Sequence, residues 1–197
     1  MRKLLAILAA TATLTLSGCG YNTMQTQDED VKGKWAEVVN QYQRQADLIN
    51  NLVKTVEGET DFEKSTLEAV VNARASATGI NATPELINDP AAFAKFNAAQ
   101  SQMQSSLSRL LVVAENYPNL KANQAFSDLR VEVSGSQNRI AIARKKYIDA
   151  VQTYNTTLRT FPNSLTAKVM GYDVKPSFTV DNEADIAKPP TIEFKKQ

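Results

Sequence analysis

The sequence predicts an all-α protein: an antiparallel four-helix bundle that ends in a short extended C-terminal tail. Three observations point to it. Apolar residues recur in alternating steps of three and four over long stretches with polar residues between them, the pattern of helices that bury one face against their neighbours. Gly58, Pro84, Pro118 and Pro162 interrupt those stretches, and such residues end or bend helices. No alternation of the kind a strand needs competes before residue 172.

The first element is an export signal, residues 1–18. Arg2 and Lys3 form a basic start, and Leu4 to Leu16 is an unbroken run of 13 apolar or small residues. At 1.5 Å rise per residue that run reaches only ~20 Å, short of the ~30 Å hydrocarbon core of a bilayer. The exit, Leu16-Ser17-Gly18-Cys19, resembles the bacterial lipobox. That resemblance implies cleavage before Cys19, a diacylglyceryl thioether on its sulfur, and a further acyl chain such as palmitate on the new amino terminus. The alternative is an ordinary signal peptide followed by a chance cysteine. Cys19 is the only cysteine of the 197 residues, and a modified thiol suits an exported protein better than an unpaired one. Several acyl chains make a stable anchor where one binds marginally. Gly20 follows it rather than the aspartate associated with inner-membrane retention, which favours the outer membrane where a cell has one.

Residues 19–29, polar and without an apolar period, read as a lipidated tether. At ~3.3 Å per residue it would lift a domain up to ~30 Å off the lipid. The bundle follows over 30–162. A first helix over about 30–57 uses Val31, Trp35, Val38, Tyr42, Ile49, Leu52 and Val56, with Gln45 and Ala46 as the break in its apolar line. A second covers about 60–78, with Phe62, Leu67, Val70, Val71, Ala73 and Ala77. Asp89-Pro90 reads as a cap with proline at the first helical position, opening a third helix over about 89–117. The fourth, about 120–161, keeps its seam from Phe126 to Phe161 for five heptads. Residues 163–197 read as an extended, partly disordered tail, with Phe178 pinning one piece to the bundle.

Composition removes several function classes. Cleavage takes Arg2 and Lys3 from the 22 basic residues and leaves 20 against 21 acidic ones, a net charge of −1. No basic face points to nucleic acid. The chain has no histidine, which removes the usual general base near neutral pH and the commonest metal ligand. Neither a glycine-rich phosphate loop nor a serine elbow is present. No catalytic residue, metal or cofactor is predicted, and the chain reads as no enzyme.

Several segments together resemble the LemA family: Trp35 to Val53 with YQRQADLINNLV, LEAVVNAR (Leu67 to Arg74), LLVVAENYPNLKA (Leu110 to Ala122), NRIAIARKKY (Asn138 to Tyr147) and YNTTLRTFP (Tyr154 to Pro162). The resemblance runs in order over about residues 21–180. It implies a four-helix bundle on the non-cytoplasmic side of a membrane, and no reaction. Two departures stand out. A lipobox replaces the N-terminal membrane helix of many members, and Asn50 stands where the family motif DLIPNLV has proline.

The polar residues inside those segments are the candidate site: Arg44, Asp47, Asn51, Glu68, Arg74, Glu115, Asn138, Arg139, Arg144 and Asn155. One reading is an interhelical cluster that grips a carboxylate or peptide end, a task suited to the two-pronged guanidinium. The other is a set of contacts that fix helix register. Two functions follow. The first is an anchored scaffold or adaptor for another envelope protein, with the membrane as its lipid-mediated partner. The second is a module that binds a small ligand or cell-wall fragment.

Overall fold

A computed structural model describes the backbone of residues 2–59 and 61–178 and the side chains of residues 20–59 and 61–178. Its elements are α1 (Arg2–Glu57), α2 (Lys64–Thr78), a 3-10 turn (Pro84–Asn88), α3 (Pro90–Ala114), α4 (Pro118–Ala122), α5 (Gln124–Arg159) and α6 (Asn163–Met170). The described residues are all-helical, with no strand among them. The last 19 residues of the predicted tail, 179–197, lie outside the described residues.

Local chemistry explains the helix ends. Asp89 Oδ1 accepts the backbone N–H groups of Ala91 at 2.8 Å and Ala92 at 3.1 Å, and Pro90 takes the first helical position. Asn123 Oδ1 accepts from Phe126 at 3.2 Å and opens α5. The predicted third and fourth helices are therefore trimmed. α3 stops at Ala114, where the N–H groups of Glu115, Asn116 and Tyr117 fold back on the preceding turn. The short α4 then fills the gap before Asn123.

α1 packs along α5, α2 along α3, and α1 also meets α2. α1 and α5 run antiparallel, since Trp35 faces Tyr147 while Tyr42, further along α1, meets Arg144. Two apolar clusters result. One centres on Trp35 with Tyr147, Tyr154, Phe93 and Phe96; the other gathers Leu52, Val70, Met103, Leu107, Leu110 and Phe126. The join between them falls at a polar residue on three helices. Gln45 sits between Tyr42 and Leu48, Gln100 between Phe96 and Met103, and Ser136 between Val133 and Ile140, and all three are buried. The seam of α1 thus passes through Gln45 and Ala46 without a gap.

Two expectations are corrected. Residues 20–29 are the continuation of α1 and no extended tether. Met24 is fully buried in the Trp35 cluster, and the Tyr21 ring lies 6.4 Å from that of Tyr172. The apolar positions were too sparse to show a period because the next inward residue is Asp28, whose partner is distant in sequence. The tail also opens as a helix, α6, which tucks Ala167 against the core. Gly171, at φ +71°, closes α6 in the left-handed region where a side chain is disfavoured.

From Tyr172 to Phe178 the chain straps back across α1 and α5. Asn155 holds it with both ends of its amide: Nδ2 donates to Lys175 O and Oδ1 accepts from Lys175 N, each at 2.9 Å. The Tyr147 hydroxyl donates to Pro176 O at 2.9 Å. Phe178 enters the aromatic cluster, 5.0 Å from Phe93 and 5.5 Å from Tyr147.

Candidate functional site

The polar layer is the most unusual feature of the interior, and a groove opens on either side of it. One groove of about 360 Å³ is lined by Tyr42, Gln45, Gln100, Ser101, Gln104, Gln137, Ile140 and Arg144 among others. The second, also about 360 Å³, is lined by Tyr42, Gln100, Met103, Ala77 and the Thr78–Ala82 connection. Gln45 Nε2 donates to Gln104 Oε1 at 3.4 Å, a long bond. Gln100 is 6% exposed, and its Oε1 has no hydrogen-bond partner. A buried amide oxygen left unpaired costs ~1–3 kcal/mol, so the layer is a place where stability is given up. Burial pushes the Tyr42 hydroxyl up from its ordinary range, and the charge and hydrogen bond of Arg144 pull it part of the way back.

The predicted cluster does not assemble as one site. Arg44, Asp47, Asn51, Asn138 and Arg139 are exposed, as are Glu68 and Glu115. Asp47 pairs weakly with Gln43 at 3.4 Å, Glu68 with Lys64 at 3.6 Å, and Glu115 with Arg130 at 3.2 Å. The three that turn inward do separate work. Asn155 holds the strap. Arg144 lays its guanidinium 4.3 Å from the centre of the Phe178 ring, lines the groove, and has no carboxylate partner among the described residues. Arg74 crosses from α2 and donates from Nε to Ala46 O at 2.9 Å.

That last bond explains the unusual position 50. Ala46 O is the acceptor for the N–H of residue 50 in a regular helix. A proline there would orphan it, and Arg74 already supplies a second donor. Asn50→Pro is therefore expected to cost well under the ~3 kcal/mol of an interior proline, whereas Asn51→Pro, with no such helper at Asp47 O, should incur it in full. Urea denaturation of the two variants checks this, and equal losses would remove Arg74 from the explanation.

Sequence reasoning missed the Asp28–Lys175 pair. Lys175 is 7% exposed; its Nζ lies 2.8 Å from Asp28 Oδ1 and 2.7 Å from Asn88 Oδ1, with the Tyr154 ring centre 5.3 Å away. Lys32 takes the other Asp28 oxygen at 2.7 Å. Partial burial pushes the Asp28 carboxyl up, but the hydrogen bonds and charges of Lys175 and Lys32 outweigh it and hold it below its ordinary value. The only sequence signal was an aspartate at helical spacing from Met24 and Val31.

Among the described residues no group of histidine, cysteine or carboxylate side chains could hold a metal ion, and no helix is long and apolar enough to cross a membrane. The described residues thus form an all-helical framework with a buried polar layer and a pinned C-terminal strap. The chain belongs to the LemA family, whose model matches residues 34–194. It is similar to magnetosome proteins MamQ 1 and MamQ 2 of Paramagnetospirillum magneticum, each 25% identical over 188 residues, covering 86% of this chain and 67% of the relative. MamQ of Magnetospirillum gryphiswaldense is 22% identical over 184 residues, covering 85% of this chain and 68% of its own.

Proposed function

We propose that the protein is a bacterial envelope lipoprotein held by acyl chains on Cys19 at the non-cytoplasmic side of a membrane, the outer one where a cell has two. Its four long helices form one antiparallel bundle that acts as a scaffold or adaptor for another envelope protein. The observation that carries this is at Gly20, where α1 packs so closely on α6 that a Cβ would lie 2.5 Å from Asn163 Oδ1. The residue after the anchor is already part of the folded body, so an anchor at Cys19 fixes the bundle rather than trailing it on a string. A rigid post on a membrane presents its surface at a set place and height, and needs no reaction to do so. Similarity to proteins named for the magnetosome supports a place at a membrane-bounded structure. No cofactor or nucleic acid enters this role.

Crosslinking in intact cells, with wild type beside Cys19→Ser, tests it. The wild-type protein is expected to fractionate with membrane and to capture one envelope protein. Cys19→Ser should stay folded and lose both properties. Recovery of the lipoprotein alone, with no captured partner, would count against the adaptor role.

A second reading has its own observation: the groove that joins Arg144, with no carboxylate partner, to the unpaired Gln100 Oε1. Guanidinium and amide together suit a small ligand or cell-wall fragment with a free carboxylate and an N–H donor. Calorimetric titration with a short peptide ending in a free carboxylate should show binding that Arg144→Gln abolishes. Heats that match buffer dilution would end this reading.

A further inference from the structure

We propose that α6 lies on the bilayer surface, its apolar face sunk among the headgroups beside the acyl chains of Cys19. The proposal rests on the lipid-anchor reading above. α6 points the wrong way for a helix that serves only the core. It turns small Ala167 inward, while Leu165 and Val169, four residues apart on one side, are 61% and 83% exposed, with Met170 beside them at 51% and Phe161, two residues before the helix, at 81%. Large apolar side chains gathered on one face mark a surface that something covers.

What covers it follows from where the chain leads. The backbone of Gly20 touches Asn163, the first residue of α6. Cys19 is one peptide further on, ~3.8 Å between Cα atoms. The attachment point of the acyl chains is therefore one residue along the backbone from the contact with the first turn of α6, so a bilayer that takes those chains lies within reach of the stripe. The charges agree. Arg159 and Lys168 flank the stripe, and Asp173 is the only acid between residues 159 and 174, leaving a net positive edge that suits anionic headgroups. An interfacial helix of this kind sinks its apolar side ~5–10 Å into the headgroup boundary.

Two contacts, the acyl chains and α6, then fix the attitude of the bundle where one would let it swing. The polar layer at Gln45 stands ~38 Å along α1 from Gly20. Its two grooves are thereby held clear of the lipid.

Acylated protein reconstituted in vesicles of phosphatidylethanolamine and phosphatidylglycerol tests the proposal. Cys19 as a thioether does not react with thiol probes, so an environment-sensitive fluorophore can be placed singly at Leu165→Cys, Val169→Cys or, as a control, Lys145→Cys, whose native side chain is 74% exposed. The expected result is a blue-shifted emission, quenched by nitroxide-bearing lipid, at 165 and 169 and neither effect at 145. Acylated, vesicle-bound protein whose labels at 165 and 169 stay in water would overturn the proposal and leave the anchor standing. A mass spectrum with Cys19 unmodified would overturn the anchor reading and this proposal with it. Shielding of residue 165 that grows with protein concentration, in the Cys19→Ser background and without vesicles, would assign the stripe to a second copy and overturn it too.

Discussion

Asp28→Ala is expected to lower the unfolding free energy by about 3 kcal/mol or more, within the range for removing one partner of a buried ion pair. The asymmetry of the site sets the size. Without Asp28, Lys175, a residue only 7% exposed in the wild-type fold, is left with Asn88 Oδ1 and the Tyr154 face for its ammonium. Without Lys175, Asp28 still has Lys32 at 2.7 Å. Lys175→Met should therefore cost clearly less, and Asp28→Ala with Lys175→Met should recover much of the loss, because no charge is left buried alone. Urea denaturation of the three variants measures the coupling; strictly additive losses would show that the two residues do not sense each other. For a domain of this size 3 kcal/mol corresponds to roughly 6–12 °C in melting temperature.

The same pair sets an acid limit. The folded carboxyl of Asp28 titrates below its ordinary 3.8. A depressed carboxyl contributes stability that is complete above the unfolded value and lost as pH falls through the folded one. The stability gap between wild type and the double variant should hold steady above about pH 5 and narrow below the ordinary value of 3.8. A gap that stays constant down to pH 2 would sink the assignment.

Asp28 also marks where the sequence stops being readable. α2, α3 and α5 were legible because their inward positions are apolar at steps of three and four, a local pattern. Between Met24 and Val31 the inward position is Asp28, whose partner Lys175 lies 147 residues away in the chain. No window over residues 19–29 contains that partner, so the segment looks like a solvated tether. Gln45 misled in the same way, a polar residue buried because Gln104 on another helix meets it. The candidate site failed for a different reason. Arg74, Arg144 and Asn155 stood out as polar residues inside the family-like segments, and each makes a separate contact: with a carbonyl of α1, the Phe178 ring, and the strap backbone. Residue type fixes what a side chain can bond, and only the packing decides which partner it reaches. The exposed stripe of α6 was hidden too, since Pro162 and Gly171 bracket too short a span for periodicity to register.

The second large effect concerns Trp35, the only tryptophan, which is 1% exposed. Its ring centre lies 5.2 Å from Phe96, 5.6 Å from Tyr147, 5.7 Å from Phe93 and 6.4 Å from Phe178. It thereby joins α1, α3, α5 and the strap. Its Nε1 donates to both Ala82 O and Thr83 O at 3.2 Å, tying the connection before the 3-10 turn to the same point. Trp35→Ala should cost ~3–5 kcal/mol, the range for emptying an aromatic site in a packed core. Trp35→Phe keeps a ring in place and should cost about 1–2 kcal/mol, chiefly the shared hydrogen bond and the lost volume. Hydrogen exchange separates this from a general loss of stability. With the seat of Phe178 gone, the Lys175 amide, held by Asn155 Oδ1, should exchange earlier than the amides of α5 beneath it. If strap and α5 lose protection together, Trp35 supports the whole bundle and not the strap in particular. If the strap opens first, the C-terminal segment is a clasp whose closure Trp35 controls.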